Sequence, residues 1–204
     1  GKVLIAGGQA GGTYLSSALL YDPVTSSWNT TGPMNQGRSW FAATALNNGK
    51  VLVVGGYNGS AYLSTAELFD PTSGSWSSAG SMIEARAYAT ATLLPDGRVL
   101  VAGGINNSPS TQPAVVEIYD PATGAWTAAG TLAIVRQYHS ATLLPNGRVL
   151  IAGGHEVVVL PDQYLSNALL FSPPGGTGAW SSTGSLATAR VSHTMTRLPD
   201  GKVL

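Results

Sequence analysis

The sequence contains no cysteine, so disulfide bonds and thiolate chemistry are excluded. Charged side chains are scarce, at 10% of the 204 residues compared with roughly 25% in an average soluble protein. The ten basic and ten acidic residues cancel, and they form no basic stripe, so nucleic-acid binding is not expected. No apolar run approaches the roughly 18 residues that a membrane-spanning helix needs, so no membrane span is predicted.

What the sequence has instead is a repeat. A Gly-Gly pair recurs at Gly7-Gly8, Gly55-Gly56, Gly103-Gly104 and Gly153-Gly154. A tryptophan follows each pair, and ten residues later comes an arginine; these residues are Trp28, Trp76, Trp126 and Trp180, then Arg38, Arg86, Arg136 and Arg190. Self-similarity with a period of roughly 20 to 50 residues is typical of repeat folds. We predict one region over 1–204, with units of approximately 1–48, 49–96, 97–146 and 147–200, and a further unit beginning at 201–204.

Each unit has the pattern of four short strands. Residues 89–94 predict one strand, Asp96-Gly97 predicts a two-residue hairpin turn, and residues 98–102 predict a second strand. The second strand is apolar at nearly every position, which is typical of a strand buried on both faces. Residues 66–69 and a segment that begins at Trp76 predict the third and fourth strands. Stacking such antiparallel sheets radially, as a propeller, buries both faces of each.

The Gly-Gly pair, the later aromatic residue and the tryptophan resemble the Kelch motif; the tryptophan follows the aromatic residue by seven positions in the first three units and by nine in the fourth. The phrase Leu-Leu-Pro-Asp-Gly-Arg-Val-Leu at 93–100 is similar to bacterial, galactose-oxidase-like Kelch repeats. The resemblance implies an all-β, Kelch-type β-propeller of four four-stranded antiparallel blades, with the strand after each arginine innermost and the tryptophan strand outermost. The family usually has six or seven blades, so the chain is expected to be a segment of a larger propeller or to be completed by oligomerisation. A strand at 193–198 that pairs with residues 2–6 would close a smaller ring.

Residues that recur in every unit are interpreted as structural. The arginines are expected to donate hydrogen bonds to loop carbonyls between blades. The tryptophans and their aromatic partners are expected to pack between strands, and the Gly-Gly pairs to provide backbone conformations that other residues disfavour.

Residues that differ between units are the candidates for function. Trp40, Tyr88, Tyr138, His139, His155 and His193 are candidate binding residues. The three histidines are expected near one channel mouth, where they form a speculative zinc or copper site, although no cofactor is predicted. An apolar run in a variable loop is a candidate contact patch, formed by Val157, Val158, Val159 and Leu160.

Three functions are consistent with these residues. The favoured one is a non-catalytic module for protein or glycan binding, or for scaffolding. The second is a metal-dependent oxidase or sugar-converting enzyme at the histidine-lined mouth; Tyr138-His139 resembles the Tyr-His pair of galactose-oxidase-like copper enzymes, but those enzymes also need a cysteine. The third is a propeller that self-assembles into homo-oligomers. The neutral composition and the resemblance predict a secreted or cell-surface location.

Overall fold

The structure, a computed structural model, describes residues 1–106, 113–156, 163–173 and 178–204. The regular elements in these residues are β-strands, which confirms the all-β class. In chain order they are β1 (Val3–Ala6), β2 (Gln9–Ala10), β3 (Thr13–Tyr14), β4 (Ala18–Asp22), β5 (Ser27–Thr30), β6 (Ala42–Ala45), β7 (Val51–Val54), β8 (Thr65–Asp70), β9 (Ser75–Ser81), β10 (Thr90–Leu93), β11 (Val99–Ala102), β12 (Val115–Asp120), β13 (Ala125–Thr131), β14 (Ser140–Leu143), β15 (Val149–Ala152), β16 (His155–Glu156), β17 (Gln163–Tyr164), β18 (Ala168–Ser172) and β19 (Ala179–Thr183). Within these ranges no helix is long and apolar enough to cross a membrane.

The longer strands form four antiparallel sheets, called blades 1 to 4 below. Their strand orders are β1-β4-β5, β6-β7-β8-β9, β10-β11-β12-β13 and β14-β15-β18-β19. The first strands β6, β10 and β14 contact one another in turn, and the tryptophan strands lie at the far edges. Blades 2 to 4 therefore have the predicted four strands, whereas blade 1 has three in the part of the chain that is described. Each four-stranded blade takes its first strand from the preceding sequence unit.

A three-residue turn joins the first two strands of blades 2 to 4. In blade 3, the Leu94 N–H donates to the Arg98 carbonyl (2.8 Å), and the Gly97 N–H donates back to the Leu94 carbonyl (3.0 Å). Gly97 has a φ of +88°, the left-handed conformation that commonly ends a three-residue hairpin loop. The prediction of a two-residue turn at Asp96-Gly97 is therefore wrong by one residue. Pro95 extends the loop by taking a position that we had assigned to neither strand.

The hydrophobic core lies between neighbouring blades. Leu52 and Val54 of blade 2 belong to the same buried cluster as Val99 and Val101 of blade 3, and all four side chains are at most 2% exposed. A second cluster joins blade 3 to blade 4 in the same way. The second strand of blade 3 is buried along its whole length, as its uninterrupted apolar sequence predicted.

An aromatic pair ties together the two outer strands of every blade. In each case an aromatic residue on the neighbouring strand lies directly opposite the tryptophan, with ring centroids 4.9–5.1 Å apart. The pairs are Tyr21–Trp28, Phe69–Trp76, Tyr119–Trp126 and Phe171–Trp180. The Trp126 indole N–H also donates to the Ala79 carbonyl of blade 2 (2.8 Å). Cross-strand aromatic contacts of this kind stabilise a sheet, in agreement with the packing role expected for these residues.

The Gly-Gly pairs allow the linkers between blades to approach closely. Gly55 and Gly56 have φ values of +70° and +98°. A Cβ atom on Gly55 would collide with the Arg86 carbonyl oxygen, and one on Gly56 would lie 2.6 Å from the Ser39 carbonyl oxygen. Gly56 also donates its N–H to the Arg86 carbonyl (2.8 Å). Glycine is therefore required here both for the backbone conformation and for the contact.

Substitution of Gly55 by alanine tests this requirement. We expect Gly55→Ala to lower the free energy of unfolding by about 2 kcal/mol, measured by chemical denaturation, because it adds a collision to an unfavourable φ. Gly49→Ala is the matched control, since Gly49 also has a positive φ (+82°) but a Cβ there meets no atom within 4 Å. The control should cost only about 1 kcal/mol. Equal losses in the two variants would show that the close approach is unimportant.

The last residues continue the repeat and do not pair with β1. Thr196 and Leu204 exchange two backbone hydrogen bonds of 3.0 and 2.9 Å, and Arg197 pairs with Val203. In the described residues β1 pairs with β4 alone, so the smaller ring that a strand at 193–198 would close is not formed. A hairpin to the residues that follow immediately needs only a short loop, and closing a short loop costs little entropy.

The repeated arginines connect each blade to the next. Arg38, from the linker after blade 1, donates to the carbonyls of Gly55 (2.7 Å) and Thr65 (3.0 Å) and to the carboxylate of Glu67 (2.7 Å) in blade 2. Arg86 makes the corresponding bonds to the Gly103 carbonyl (3.1 Å) and the Glu117 carboxylate (2.7 Å) in blade 3. The carbonyl contacts agree with the sequence-based prediction. The carboxylates were not predicted.

Candidate functional site

Six aromatic side chains cluster at the end of the inner strands where the chain enters β6, β10 and β14. We call this cluster the aromatic mouth, and its members are Tyr14, Trp40, Tyr57, Tyr62, Tyr88 and Tyr138. Three of them, Trp40, Tyr88 and Tyr138, are candidate binding residues from the sequence. The structure brings these three together although they are spaced about fifty residues apart in the chain.

The three predicted aromatic residues form a continuous row across blades. Trp40 stacks on Tyr88 with ring centroids 5.1 Å apart and an interplanar angle of 26°. Tyr88 contacts Tyr138 at 4.4 Å. The backbone supports the row, because the Tyr88 N–H donates to the Trp40 carbonyl (2.9 Å). The Trp40 side chain is 41% exposed, so the row ends in a large apolar surface that faces solvent.

The backbone at this register is a property of the fold. Trp40, Tyr88 and Tyr138 have φ values of +57°, +58° and +54°, which are unfavourable for bulky residues. Ser192, at the corresponding position of the next linker, has nearly the same value of +53°. The turn therefore recurs in each linker, whatever its side chain. What distinguishes this face is the choice of an aromatic residue at three of these four positions.

Three further aromatic residues were missed by the sequence analysis. Tyr57 stacks on Trp40 at 5.8 Å with an interplanar angle of 19°, and Tyr14 contacts both rings edge-on. Tyr62 lies 5.1 Å from Tyr57. One signal was available: Tyr57 directly follows Gly55-Gly56, so it had to enter the same loop layer. The backbone pairing of Ser39 with Tyr57, which places the rings together, is not visible in the sequence.

The aromatic mouth is electrically neutral. Burial raises the pKa of Tyr62, and neighbouring tyrosines raise it further. Burial and a hydrogen bond with Tyr138 raise the pKa of Tyr88 strongly. These phenols stay protonated at neutral pH, so they act as hydrogen-bonding and stacking groups and not as nucleophiles.

His139 lies inside the propeller wall. Its side chain is 6% exposed, its Nε2 is 2.9 Å from the Thr90 hydroxyl of blade 3, and its ring packs against Gly103. Burial, together with the charges of Arg136 and His193, lowers the pKa of His139 to about 3. At neutral pH this histidine is therefore uncharged and packs between two inner strands.

The other histidines occupy separate surroundings. His193 packs against Gly153 as His139 packs against Gly103, one blade further along. His155 lies in the β16–β17 ribbon, with its ring 5.2 Å from that of Tyr164. Among the described residues no three His, Cys, Asp or Glu side chains lie close enough to share a metal ion. The expected three-histidine mouth therefore does not form there, because at least His139 is directed into the wall. The predicted contact patch, Val157 to Leu160, lies outside the described residues.

Comparison with known proteins identifies the family of this chain. The sequence matches the family described as the KLHDC2/KLHL20/DRC7 Kelch-repeats domain over residues 1–204. The chain belongs to this Kelch-repeat family. Its blades, with the arginine-led strand inside and the tryptophan strand outside, are therefore Kelch blades, as the motif indicated. No curated protein matches the sequence.

A solved structure gives the same fold. The structure of YjhT superposes on this Kelch domain with a TM-score of 0.81 and 16% sequence identity, over 100% of this chain and 72% of that one. At this identity the likeness establishes the propeller fold alone.

Proposed function

We propose that this Kelch domain is a non-catalytic binding module that holds a protein or glycan partner on the aromatic mouth. The observation that carries the proposal is the exposed, stacked Trp40, with a 41% exposed side chain on a row of tyrosines. Tryptophan and tyrosine are enriched among the residues that dominate binding energy at interfaces. An apolar body with a polar hydroxyl suits both peptide side chains and sugar rings.

Two further features support binding over catalysis. The phenols of Tyr62 and Tyr88, whose pKa values are raised by burial, stay protonated at neutral pH. The rings are also fixed in advance: Trp40 contacts Tyr14, Tyr57 and Tyr88, so little side-chain entropy is lost when a partner binds. A rigid, neutral surface is what a recognition module needs. A secreted or cell-surface location stays a prediction.

Replacement of Trp40 tests the proposal. Partners are first selected by screening the immobilised domain against a glycan array and a displayed peptide library. We expect Trp40→Ala to weaken binding of the selected partner by roughly 30-fold or more, as loss of a central aromatic residue does. Titration calorimetry measures the affinity.

The matched control is Trp28→Ala. Trp28 is also exposed (53%), but it lies in β5 at the outer edge of blade 1 and pairs with Tyr21. This control should leave affinity unchanged while removing a comparable amount of aromatic surface. Equal affinity of wild type and Trp40→Ala for every selected partner would exclude the aromatic mouth as the binding surface.

A further inference from the structure

Three arginine bridges join successive blades, and the third has no carboxylate. Arg136 donates through Nη1 to the carbonyls of Gly153 (3.0 Å) and Asn167 (3.4 Å), as Arg38 and Arg86 do to their blades. Its Nη2 and Nε atoms have no hydrogen-bond partner, although the residue is only 1% exposed. The charge of Glu156 acts on Arg136, but no salt bridge joins these two described residues. A buried cation without a carboxylate in contact is costly, so this bridge differs from the other two in a way that calls for a partner.

The register shows what is missing. Glu67 lies opposite Val53 and Glu117 lies opposite Val101 in their blades, and the residue opposite the corresponding Ile151 in blade 4 is Leu169. A leucine side chain ends at its δ-carbons, whereas glutamate continues to two carboxylate oxygens. The two glutamates are 3% and 0% exposed, while Leu169 is partly exposed. Blade 4 therefore lacks the carboxylate that the other two bridges contain.

Backbone N–H groups hold the glutamate carboxylate in the first two bridges. Glu117 accepts hydrogen bonds from the N–H groups of Ile83 (2.7 Å) and Glu84 (3.2 Å), three and two residues before Arg86. Glu67 accepts the same pair from the linker before Arg38. The equivalent residues before Arg136 are Ala133 and Ile134, and blade 4 has Leu169 at the register of the glutamate that accepts from such a pair.

The linker before Arg136 begins with the same contact to its blade as the linker before Arg86. The Leu132 N–H donates to the Ala114 carbonyl at 2.9 Å, and the Met82 N–H donates to the Ser64 carbonyl at the same distance. The N–H groups of Ala133 and Ile134 therefore start from the same backbone position as those that hold Glu117. Two such N–H groups and a guanidinium together match the geometry in which carboxylates are bound strongly.

We propose that this position is an anion-binding site between blades 3 and 4 that takes a small carboxylate, held by Arg136 Nη2 and the N–H groups of Ala133 and Ile134. The ligand comes from solution and takes the place of the side-chain carboxylate that Glu67 and Glu117 provide in the other two bridges. It stabilises the blade 3–blade 4 contact and lies beneath the loop layer, apart from the aromatic mouth.

Formate is the probe that tests the site. Thermal unfolding of the full chain is followed while sodium chloride is exchanged for sodium formate at constant ionic strength. We expect a saturable rise in Tm of about 3 °C in wild type, because a ligand that binds only the folded state stabilises it. Arg136→Met should abolish the rise, because it removes the guanidinium donor.

Two matched variants test the role of the carboxylate: one adds it to the bridge at Arg136, and the other removes it from the bridge at Arg86. Leu169→Glu supplies a side-chain carboxylate, so it should raise Tm in chloride and remove the response to formate. Glu117→Leu empties the bridge at Arg86, so it should lower Tm in chloride and add a second, larger response to formate. The second variant keeps the test decisive if the first does not fold.

Two results would overturn the proposal. The first is a wild-type Tm that does not change as formate replaces chloride. The second is a formate response that persists in Arg136→Met, which would be a general solvent effect. Glu156→Gln then explains the first result, because the charge of Glu156 partly offsets the effect of burial on the pKa of Arg136. If this variant lowers Tm and wild type ignores formate, Glu156 itself is the counter-charge and the site takes no ligand.

Discussion

Arg86→Met is expected to lower the free energy of unfolding by about 3–5 kcal/mol, the range found when one partner of a buried ion pair is removed. Arg86 and Glu117 have fully buried side chains, and their 2.7 Å contact is the link between blades 2 and 3. Methionine keeps most of the volume of the side-chain stem but leaves the Glu117 carboxylate without its counter-charge. Urea denaturation followed by tryptophan fluorescence measures the loss.

The double variant Arg86→Met/Glu117→Leu separates charge from packing. It should recover most of the loss, because removing both charges leaves no unpaired ion in the interior. Arg136→Met provides a second comparison within the same molecule. Since Arg136 has no carboxylate partner, its replacement should cost about 1 kcal/mol at most in chloride. If all three variants lose the same stability, the arginines act by packing alone and the ion pairs contribute nothing.

His139→Phe is expected to change how the stability of the domain depends on pH. The pKa of His139 is lowered to about 3 in the folded state, mainly by burial, and returns to roughly 6.5 on unfolding. The unfolded state therefore binds more protons between these values. The stability from the neutral imidazole is fully present above about pH 6.5 and is lost as pH falls towards 3.

The wild-type free energy of unfolding should therefore fall by about 1.4 kcal/mol per pH unit between roughly pH 6 and pH 4 from this residue alone. His139→Phe should remove that slope while retaining the fold, since Phe41 occupies the same register in another unit. His139→Ala, which copies Ala89, is the second variant. The pKa values of Asp70 and Asp96 are also lowered in the folded state. Protonation of these carboxylates therefore still lowers the stability of every variant at lower pH. A slope that is the same in wild type and both variants would mean that His139 is not buried in the neutral form.

Much of the fold was predictable because its determinants are local and repeated. The seven-residue spacing of Phe69 and Trp76 fixes a hairpin with the two rings opposite each other, and the structure shows that pair. The uninterrupted apolar run 99–102 indicates burial on both faces, and all four residues of β11 are buried. Short-range errors were small, such as the turn at Asp96-Gly97, which has one residue more than predicted because the loop includes Pro95.

The candidate site was only partly predictable. Trp40, Tyr88 and Tyr138 were identified because they differ between units, and they are neighbours in the structure. Tyr57 and Tyr14 join them through loop pairings that no local pattern encodes. The three histidines form no shared metal site in the described residues. The register placed His139 on an inner strand, but the side of that strand it faces depends on the neighbouring blade.

The sequence by itself determined the repeat, the strand pairing within each blade and the family, because hairpin register depends on residues a few positions apart. Only the tertiary structure decided what happens between blades. Glu67 lies 29 residues from Arg38, and whether the two meet depends on how one sheet stacks on the next. The same stacking buries His139, assembles the aromatic mouth and leaves Arg136 without a carboxylate. Contacts between sheets are set by packing over long sequence separations, so the residues that distinguish this domain from a generic propeller were recognisable only after the blades were in place.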